Sequence, residues 1–284
     1  MLKLIETTKE LEEIRKSEIS PVGFVPTMGN LHGGHISLLE EALKEFKTVY
    51  FSIFVNPKQF GPHEDFARYP RTLKEDLSLI ENSLKQFPNS KVIVYAPKDP
   101  AEVFPETEGH TVSVLNLTGI LEGEKRPGHF DGVTTVVYRL FELIRPKKAF
   151  FGLKDYQQWA VIKKMVNDLL LPIEIIGMPI IREDSGLALS SRNQYLTAEQ
   201  RKTSLILSQS LKEIASLLSG KKENLKEAQA KIQKFKADPH WDYLEMRDAD
   251  TLSSDLTKSS KITILGVYKL GSTRLLDNLQ TEIK

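Results

Sequence analysis

Short apolar runs alternate with longer amphipathic stretches over the first two-thirds of the chain. The runs are rich in β-branched and aromatic residues and occupy residues 22–25, 48–55, 92–95, 149–151 and 173–176. Bounded runs of this composition predict buried strands. Between them, apolar side chains recur at helical spacing over residues 38–46, 73–84 and 133–144. The alternation predicts an α/β fold: a Rossmann-like parallel sheet with helices on both faces, over residues 1–180.

Helix start signals agree with this pattern. Thr followed three residues later by Glu or Gln is typical of a capping box, in which the two side chains bond the first free amides of a helix. The pairs are Thr7 with Glu10, Thr72 with Glu75, and Thr197 with Gln200. They predict three helix starts, the last of them in the C-terminal part of the chain.

The pattern changes after residue 181. A helical stretch runs to residue 218, a strongly charged one covers residues 221–237, and strand-like runs occupy residues 243–246, 262–268 and 273–276. Helices followed by strands predict a small α+β domain over residues 181–284, which we interpret as a lid. The Lys-rich helix admits a nucleic-acid patch, but interleaved Glu favours a solvated helix face.

Composition excludes several functions. The 284 residues include 39 Lys and Arg against 38 Asp and Glu, so the net charge of +1 lacks the positive surplus of a general DNA binder. The absence of Cys excludes disulfides, thiolate nucleophiles and cysteine-ligated zinc. No long apolar stretch or signal-peptide core is present. We therefore predict a soluble, cytoplasmic protein that binds neither nucleic acid nor membrane.

The candidate chemistry lies directly after the first strong strand, in PTMGNLHGGH at residues 26–35. Ligands of open parallel sheets bind beyond the carboxyl ends of the strands, where helix N-termini present free amides to phosphate. Glycines let the backbone approach a ligand closely. His32 and His35 are three residues apart, so both donors share one face of the first helical turn. The loop is suited to a triphosphate. Metal binding by the two histidines is an alternative, although no third ligand is obvious.

Four further segments follow this loop in order: FVNPKQF at 54–60, EGEKRPGHFDGV at 122–133, FGLKDYQQ at 151–158 and LSSRN at 189–193. The His-x-Gly-His element resembles the nucleotidylyltransferase superfamily. Together, the five segments resemble the AMP-forming pantoate–β-alanine ligase family, from about residue 22 to 195.

The resemblance implies a reaction in pantothenate (vitamin B5) and coenzyme A biosynthesis. Pantoate attacks the α-phosphate of ATP to give pantoyl adenylate and pyrophosphate, and the β-alanine amine then displaces AMP to form pantothenate. Neither step needs an enzyme nucleophile, so catalysis depends on orientation and charge stabilisation. The resemblance further implies ATP as co-substrate, Mg²⁺ and a homodimer formed by the N-terminal domain.

The resemblance also implies site residues. The expected catalytic residues are His32, His35, Lys154 and Arg192, with His35 as proton donor or charge stabiliser. The expected ATP contacts are Met28, Gly29, Asn30, Leu31, His32, Gly33, Gly34, His35, Gly152, Leu153, Lys154, Asp155, Ile181, Leu189, Ser190, Ser191 and Arg192. For the substrates they are Gln59 (pantoate and β-alanine), Gln158 (pantoate) and Asn56.

Several of these segments also have ordinary structural interpretations. FVNPKQF on its own predicts a strand end with a Pro turn, and a Ser-Ser-Arg triple is common in surface loops. Asp155 is a natural N-cap for the next helix. Leu189 stands where the family usually has Met, which is close to Leu in volume.

Two open choices concern the acidic and basic residues near the site. The segment with Arg126 and His129 is either a lid or a structured loop capping a helix from Asp131. Glu75 and Asp76 are candidates for Mg²⁺, but their amphipathic helix favours ordinary solvated carboxylates, so the metal ligands stay open.

Three other functions compete. An adenylyltransferase acting on a phosphorylated molecule would release a nucleotidyl product, and a non-enzymatic nucleotide-binding module would use the histidines only to cradle phosphate. Aminoacylation of tRNA is disfavoured by the short chain and the lack of a basic anticodon-binding domain.

Overall fold

The structure, a computed structural model, describes residues 1–62, 64–105 and 109–284. The chain divides into two compact units. The first comprises Met1–Leu153 and Gln157–Pro179, and the second Lys154–Tyr156 and Ile180–Lys284. No helix in the described ranges is long and apolar enough to cross a membrane.

The first unit is built on a parallel sheet. Within the described residues it has six strands in the order β1-β4-β3-β2-β5-β6. Their bounds are Leu2–Ile5 (β1), Gly23–Thr27 (β2), Thr48–Ile53 (β3), Lys91–Tyr95 (β4), Lys148–Gly152 (β5) and Glu174–Met178 (β6).

Helices connect these strands. They are Thr8–Ser17 (α1), Gly33–Glu45 (α2), Leu73–Leu84 (α3), Pro100–Val103 (α4), Glu122–Lys125 (α5), His129–Ile144 (α6) and Tyr156–Asp168 (α7). Single 3₁₀ turns cover Pro57–Gln59, Phe66–Arg68 and Leu153–Asp155.

Both faces of the sheet are buried, because successive strand residues point to opposite sides. Phe24 and Tyr50 pack in one core with residues of α1, α6 and α7. Their neighbours Val25 and Phe51 pack in another core with residues of α2 and α3. The predicted parallel sheet with helices on both faces is confirmed, and the apolar runs are explained by burial on both sides.

The strand β1 was not predicted. It pairs with β4 at the edge of the sheet, with Leu2 opposite Val92, and of its residues only Ile5 is buried. A four-residue edge strand with a charged Lys3 carries too little apolar pattern to be recognised. Strand ends also shift, since the run predicted at 173–176 forms β6 at Glu174–Met178.

The second unit is a small α+β structure, as predicted. In its described residues, Trp241–Asp248 (β7), Lys261–Leu270 (β8) and Thr273–Glu282 (β9) form an antiparallel sheet in the order β7-β8-β9. The helices are Ala198–Leu218 (α8) and Leu225–Phe235 (α9), with 3₁₀ turns at Ser191–Tyr195 and Lys222–Asn224. Leu211 and Ile214 of α8 share a core with Ile264 of β8.

Two predictions about helices are wrong in detail: the extent of the charged helix at 221–237 and the capping box before α3. The charged stretch 221–237 is not one helix, because a 3₁₀ turn precedes α9. The capping boxes Thr7–Glu10 and Thr197–Gln200 are present. The box predicted for Thr72 and Glu75 is absent, since the Thr72 hydroxyl donates instead to Asp76 Oδ1 at 3.1 Å.

Candidate active site

The strand order of the parallel sheet reverses beside β2. The chain winds from β2 through β3 to β4 on one side and reaches β5 and β6 on the other, so the order reverses between β2 and β5. Their pairing is limited to Gly23–Phe24 with Lys148–Ala149, and stops before the carboxyl ends of both strands. Ligands of doubly wound sheets bind at such a reversal, beyond the carboxyl ends.

The loop after β2 has an unusual backbone. Gly29 and Asn30 both have positive φ angles, of 83° and 50°. The Gly29 amide donates to Thr27 Oγ1 at 3.2 Å, and α2 then begins at Gly33 with His32 as N-cap. Two left-handed residues in succession turn the loop sharply back toward the helix start. The amides of the first turn of α2 therefore lie at the reversal point, where a phosphate would be stabilised.

The buried carboxylate of Asp76 holds this loop in place. Asp76 is 1% exposed, and it accepts from the amides of Asn30 (3.0 Å to Oδ2) and Leu31 (2.8 Å to Oδ1). Burial raises the pKa of Asp76, and the bonds from Leu31, Thr72 and Asn30 partly oppose that rise. The prediction of a solvated carboxylate is thus wrong for Asp76, because α3 turns it toward the loop. Glu75 is exposed, as expected.

His32 and His35 lie side by side, with ring centroids 4.2 Å apart. His32 Nδ1 accepts from the Gly34 amide at 3.1 Å, and His35 Nδ1 accepts from the His32 amide at 3.3 Å. A neutral imidazole whose Nδ1 accepts carries its proton on Nε2. Backbone amides therefore set both rings in the tautomer that donates from Nε2.

No group of three His, Asp or Glu side chains in the described residues is arranged to hold a metal ion. The metal alternative for His32 and His35 therefore gains no third ligand from this part of the chain.

Gln59 connects the loop to the next strand. Its side-chain Nε2 lies 2.9 Å from Met28 Sδ, and its Oε1 accepts from Asn56 Nδ2 at 3.0 Å. Asn56 Nδ2 also donates to Gly132 O at 3.0 Å, and Asn56 and Gln59 are both buried. The Pro turn predicted for this segment is present at Pro57–Gln59. It also brings two expected substrate contacts next to an expected ATP contact.

Gly132 allows α6 to pass directly against this turn. A Cβ there would lie 2.2 Å from Lys58 O and 2.6 Å from Gln59 N, so no larger residue fits without movement. The close approach fixes the backbone of Gln59 against the helix.

Arg126 and His129 brace the same turn. His129 Nδ1 donates to Gln59 O at 2.8 Å, and its Nε2 accepts from Arg126 Nη1 at 3.1 Å, because a guanidinium cannot accept. Arg126 also forms two bonds to the Glu64 carboxylate, at 2.7 and 2.6 Å. These contacts agree with the structured-loop interpretation of this segment. The helix α6 begins at His129, two residues earlier than predicted, after a left-handed Gly128.

The electrostatics of this brace are set by burial and by Arg126. Burial, followed by the charge of Arg126, lowers the pKa of His129 to about 4. Burial would raise the pKa of Glu64, but the bonds and the charge of Arg126 lower it overall. His129 is therefore neutral near pH 7, as its two hydrogen bonds require.

The two glutamines of the DYQQ sequence differ. Gln158, an expected pantoate contact, is half-buried on α7. Gln157 is buried, accepts from Glu122 N at 3.0 Å, and donates to Leu117 O and Ile120 O at 2.8 and 2.7 Å. Gln157 thus fixes the segment before α5, a role that the sequence did not reveal because adjacent glutamines look equivalent.

Of the other expected ATP contacts, Gly152 and Leu153 belong to the first unit and the rest to the second unit. Lys154 is 19% exposed, and its Nζ lies 3.6 Å from the exposed Asp155 carboxylate, at the end of the turn before α7. In the later segment, the Leu189 amide donates to Ile181 O at 2.9 Å, and Ser190 caps the turn that carries Ser191 and Arg192.

The buried Asn193 completes this loop and was missed as a structural residue. Its Nδ2 donates to Ala188 O at 3.0 Å, and Arg201 Nη2 donates to its carbonyl at 3.3 Å. The Ser-Ser-Arg segment therefore belongs to an ordered turn in the second unit and is not an ordinary surface loop.

A parallel sheet with a histidine–glycine loop at its reversal point defines the class of this protein, an α/β enzyme fold suited to a phosphate-bearing ligand. The sequence model described as Pantoate-beta-alanine ligase matches residues 3–280. The chain therefore belongs to the pantoate-beta-alanine ligase family and is a ligase.

Individual relatives agree over the whole length. A pantothenate synthetase of Acetivibrio thermocellus is 43% identical, with 99% of this chain and 100% of the relative covered. The structure of the pantothenate synthetase of Thermus thermophilus matches with a TM-score of 0.88 at 40% identity, covering 98% and 99% of the two chains. A pantoate-beta-alanine ligase of Francisella tularensis, complexed with beta-gamma ATP and beta-alanine, matches with a TM-score of 0.75 at 31% identity, covering 98% and 97%.

The Asp76 contact predicts a specific loss of activity. In Asp76→Asn, an NH₂ group replaces one carboxylate oxygen, so one of the loop amides of Asn30 and Leu31 faces a donor instead of an acceptor. Losing a hydrogen bond to a charged group costs about 1.5–3 kcal/mol, so we expect kcat/KM for ATP to fall roughly 10- to 100-fold. AMP release with pantoate, β-alanine and ATP measures this. Glu75→Gln, a change at the exposed neighbour, is the control. Wild-type kinetics in the Asp76 variant would contradict the role.

The low pKa of His129 predicts a dependence of stability on pH. The folded protein keeps His129 neutral down to about pH 4, whereas the unfolded chain protonates near pH 6.5. Acidification between these values favours the unfolded chain, so this contribution to stability is present above pH 6.5 and is lost as the pH falls toward 4. Between pH 7 and pH 5 we expect a loss of about 1–2 kcal/mol in the free energy of unfolding.

Urea unfolding of the wild type and of His129→Asn at both pH values isolates this contribution. Asn retains a donor toward Gln59 O but does not titrate, so its stability should fall less on acidification. Parallel losses in the two proteins would show that His129 is not responsible.

Proposed function

We propose that this chain forms pantothenate in two steps on ATP held by the loop at residues 26–35. The overall reaction is the ATP-dependent condensation of (R)-pantoate with β-alanine to give pantothenate, AMP and diphosphate. In the first step the pantoate carboxylate attacks the α-phosphate, releases pyrophosphate and leaves pantoyl adenylate. In the second step the β-alanine amine attacks the acyl carbon, the amide bond forms, and AMP leaves. Pantothenate formation belongs to vitamin B5 and coenzyme A biosynthesis.

The paired imidazoles carry the proposal. Because both Nδ1 atoms accept from backbone amides, His32 and His35 offer Nε2–H donors beside the start of α2. Negative charge grows on the bridging oxygen as pyrophosphate leaves, and preorganised donors stabilise that charge without reorganising. We assign His35 to charge stabilisation, since a neutral donor suffices for a good leaving group. Met28, Gly29, Asn30, Leu31, Gly33 and Gly34 would lie along the nucleotide.

We assign the substrate carboxylates to side-chain amides. Asn56 Nδ2 already donates to Gln59 Oε1 and to Gly132 O, so Asn56 keeps only an acceptor lone pair for a substrate hydroxyl or amine. Gln59 Nε2 bonds Met28 Sδ and keeps a second N–H for a substrate carboxylate. Gln59 would contact pantoate and β-alanine, and Gln158 would contact pantoate. A neutral amide orients an anionic nucleophile without trapping it in an ion pair.

We assign the remaining ATP contacts by family resemblance. Lys154 and Arg192 would place cations on the phosphates, Ser190 and Ser191 would add hydroxyl donors, and Asp155 would bind the ribose hydroxyls. The other contacts are Gly152, Leu153, Ile181 and Leu189. Asp155 is exposed, and its Oδ1 lies 3.6 Å from Lys154 Nζ.

We propose Mg²⁺ as the ion that accompanies ATP, for which phosphate oxygens and water would supply most of the ligands. The side chains of the described residues agree with such a site. Asp76 already accepts three hydrogen bonds, and no three-residue acidic or histidine cluster is present in the described part of the chain. The ion supplies charge neutralisation on the phosphates when bound.

We also propose that the chain acts in the cytoplasm as a homodimer joined through its first unit, as the family resemblance implies. Sedimentation velocity at micromolar concentration should give about twice the 32.2 kDa chain mass. A single monomeric boundary would contradict the dimer.

Pantoate-dependent ATP–pyrophosphate exchange tests the reaction. Exchange should require pantoate, and AMP should appear on adding β-alanine. His35→Ala should lower the exchange rate by two or more orders of magnitude, because one preorganised donor is worth about 3–4 kcal/mol. His240→Ala, a change at an exposed histidine of the second unit, is the control. No exchange with pantoate would reject the reaction, and a nucleotidyl product without free AMP would indicate an adenylyltransferase.

A further inference from the structure

Two adjacent polar residues of β9 are almost completely buried. Asp277 is 2% exposed and Asn278 is 4% exposed. Burying a carboxylate and a carboxamide costs free energy unless both are hydrogen-bonded. Successive strand residues point to opposite faces of a sheet, so this dipeptide can bond two segments on different sides of β9.

Asp277 bonds the start of the loop that leads to Ser190–Arg192. Its Oδ2 accepts from Arg182 Nη1 at 2.7 Å and its Oδ1 from Arg182 Nη2 at 2.9 Å. The same guanidinium donates to Gly186 O at 3.0 Å and to Asn278 O at 3.3 Å. Arg182 pairs with Ala188 across the turn. One bidentate ion pair therefore fixes the turn and its attachment to β9.

Asn278 bonds the other expected ATP segment. Its Nδ2 donates to Lys154 O at 2.9 Å, across 124 positions of sequence. The backbone N–H of Asn278 also donates to Asp277 Oδ1 at 2.8 Å. This bond couples the Asn278–Lys154 contact to the Asp277–Arg182 contact. The backbone of Lys154 is thus tied to the second unit, to which residues Lys154–Tyr156 belong.

We infer that Asp277 and Asn278 are positioning residues, which hold the Lys154 segment and the 181–192 loop in fixed register for ATP. This inference rests on the proposed function, since the register matters only if both segments bind ATP. Neither residue touches substrate in this scheme. A displacement of about 1 Å at a group that orients a reacting phosphate costs as much as roughly 100-fold in rate.

Kinetics of Asn278→Ala and Asp277→Asn test the inference. In pantoate-dependent exchange we expect the KM for ATP to rise and kcat/KM for ATP to fall about 10- to 100-fold, with the KM for pantoate changed less than about twofold. A purely structural loss would lower the active fraction and leave both KM values unchanged.

Matched controls exist in the same unit. Asn224 Nδ2 donates to Leu217 O at 2.8 Å, and Asp242 accepts from Arg274 at 2.9 and 2.6 Å. Asn224→Ala and Asp242→Asn remove bonds of the same kinds away from both ATP segments. They should lower the melting temperature comparably and leave the KM for ATP unchanged.

Arg182→Lys tests the same ion pair from the other side and replaces Asp277→Asn if that variant does not fold. Lys keeps the charge beside Asp277 but cannot make the bidentate contact, so it should show the same rise in the KM for ATP. If the wild type lacks pantoate-dependent exchange, the proposed function fails. A second outcome overturns the positioning role alone. In that outcome the wild type is active, but the variants at Asp277, Asn278 and Arg182 have the same KM for ATP as the two control variants.

Discussion

The bond between the Asp76 carboxylate and the amides of Asn30 and Leu31 is the constraint on which the first unit's site depends. The left-handed conformation costs free energy at Asn30, which carries a Cβ, but not at Gly29. The buried Asp76 side chain offsets that cost by accepting hydrogen bonds from both loop amides. The position of His32 at the start of α2 follows from this loop conformation.

Buried polar side chains, more than apolar packing, determine the arrangement around the loop. Gln59 is held through its side chain by Asn56 and through its carbonyl by His129. A satisfied polar network in a low-dielectric interior has one good geometry, whereas apolar contacts tolerate several. This explains why the segments around Gln59 contain Asn56 and His129, whose side chains each need hydrogen-bond partners when buried.

The amino-acid sequence was sufficient for the class of fold and for the family, because two-sided burial produces continuous apolar strands and because five motifs occur in order. The sequence was not sufficient to predict the buried hydrogen-bonding roles of Asp76, Asn193, Asp277 and Asn278. Each of these residues is buried among partners that its own segment does not reveal, and periodicity records only which face of an element is apolar. The same reason explains the short β9 prediction, which ended at residue 276, where polar residues begin. The residue roles at the ATP and pantoate sites stay predictions.

The backbone bonds to both imidazole Nδ1 atoms also restrict which compounds the loop can recognise. In the proposed ATP site, an imidazole whose Nδ1 accepts from a backbone amide carries its hydrogen-bond donor at Nε2. If that proposal holds, sulfonyl, carboxylate or phosphonate groups would be better matched to the loop than amines or guanidines. An inhibitor built for this loop should carry two acceptor atoms spaced to meet neighbouring rings whose centroids are 4.2 Å apart.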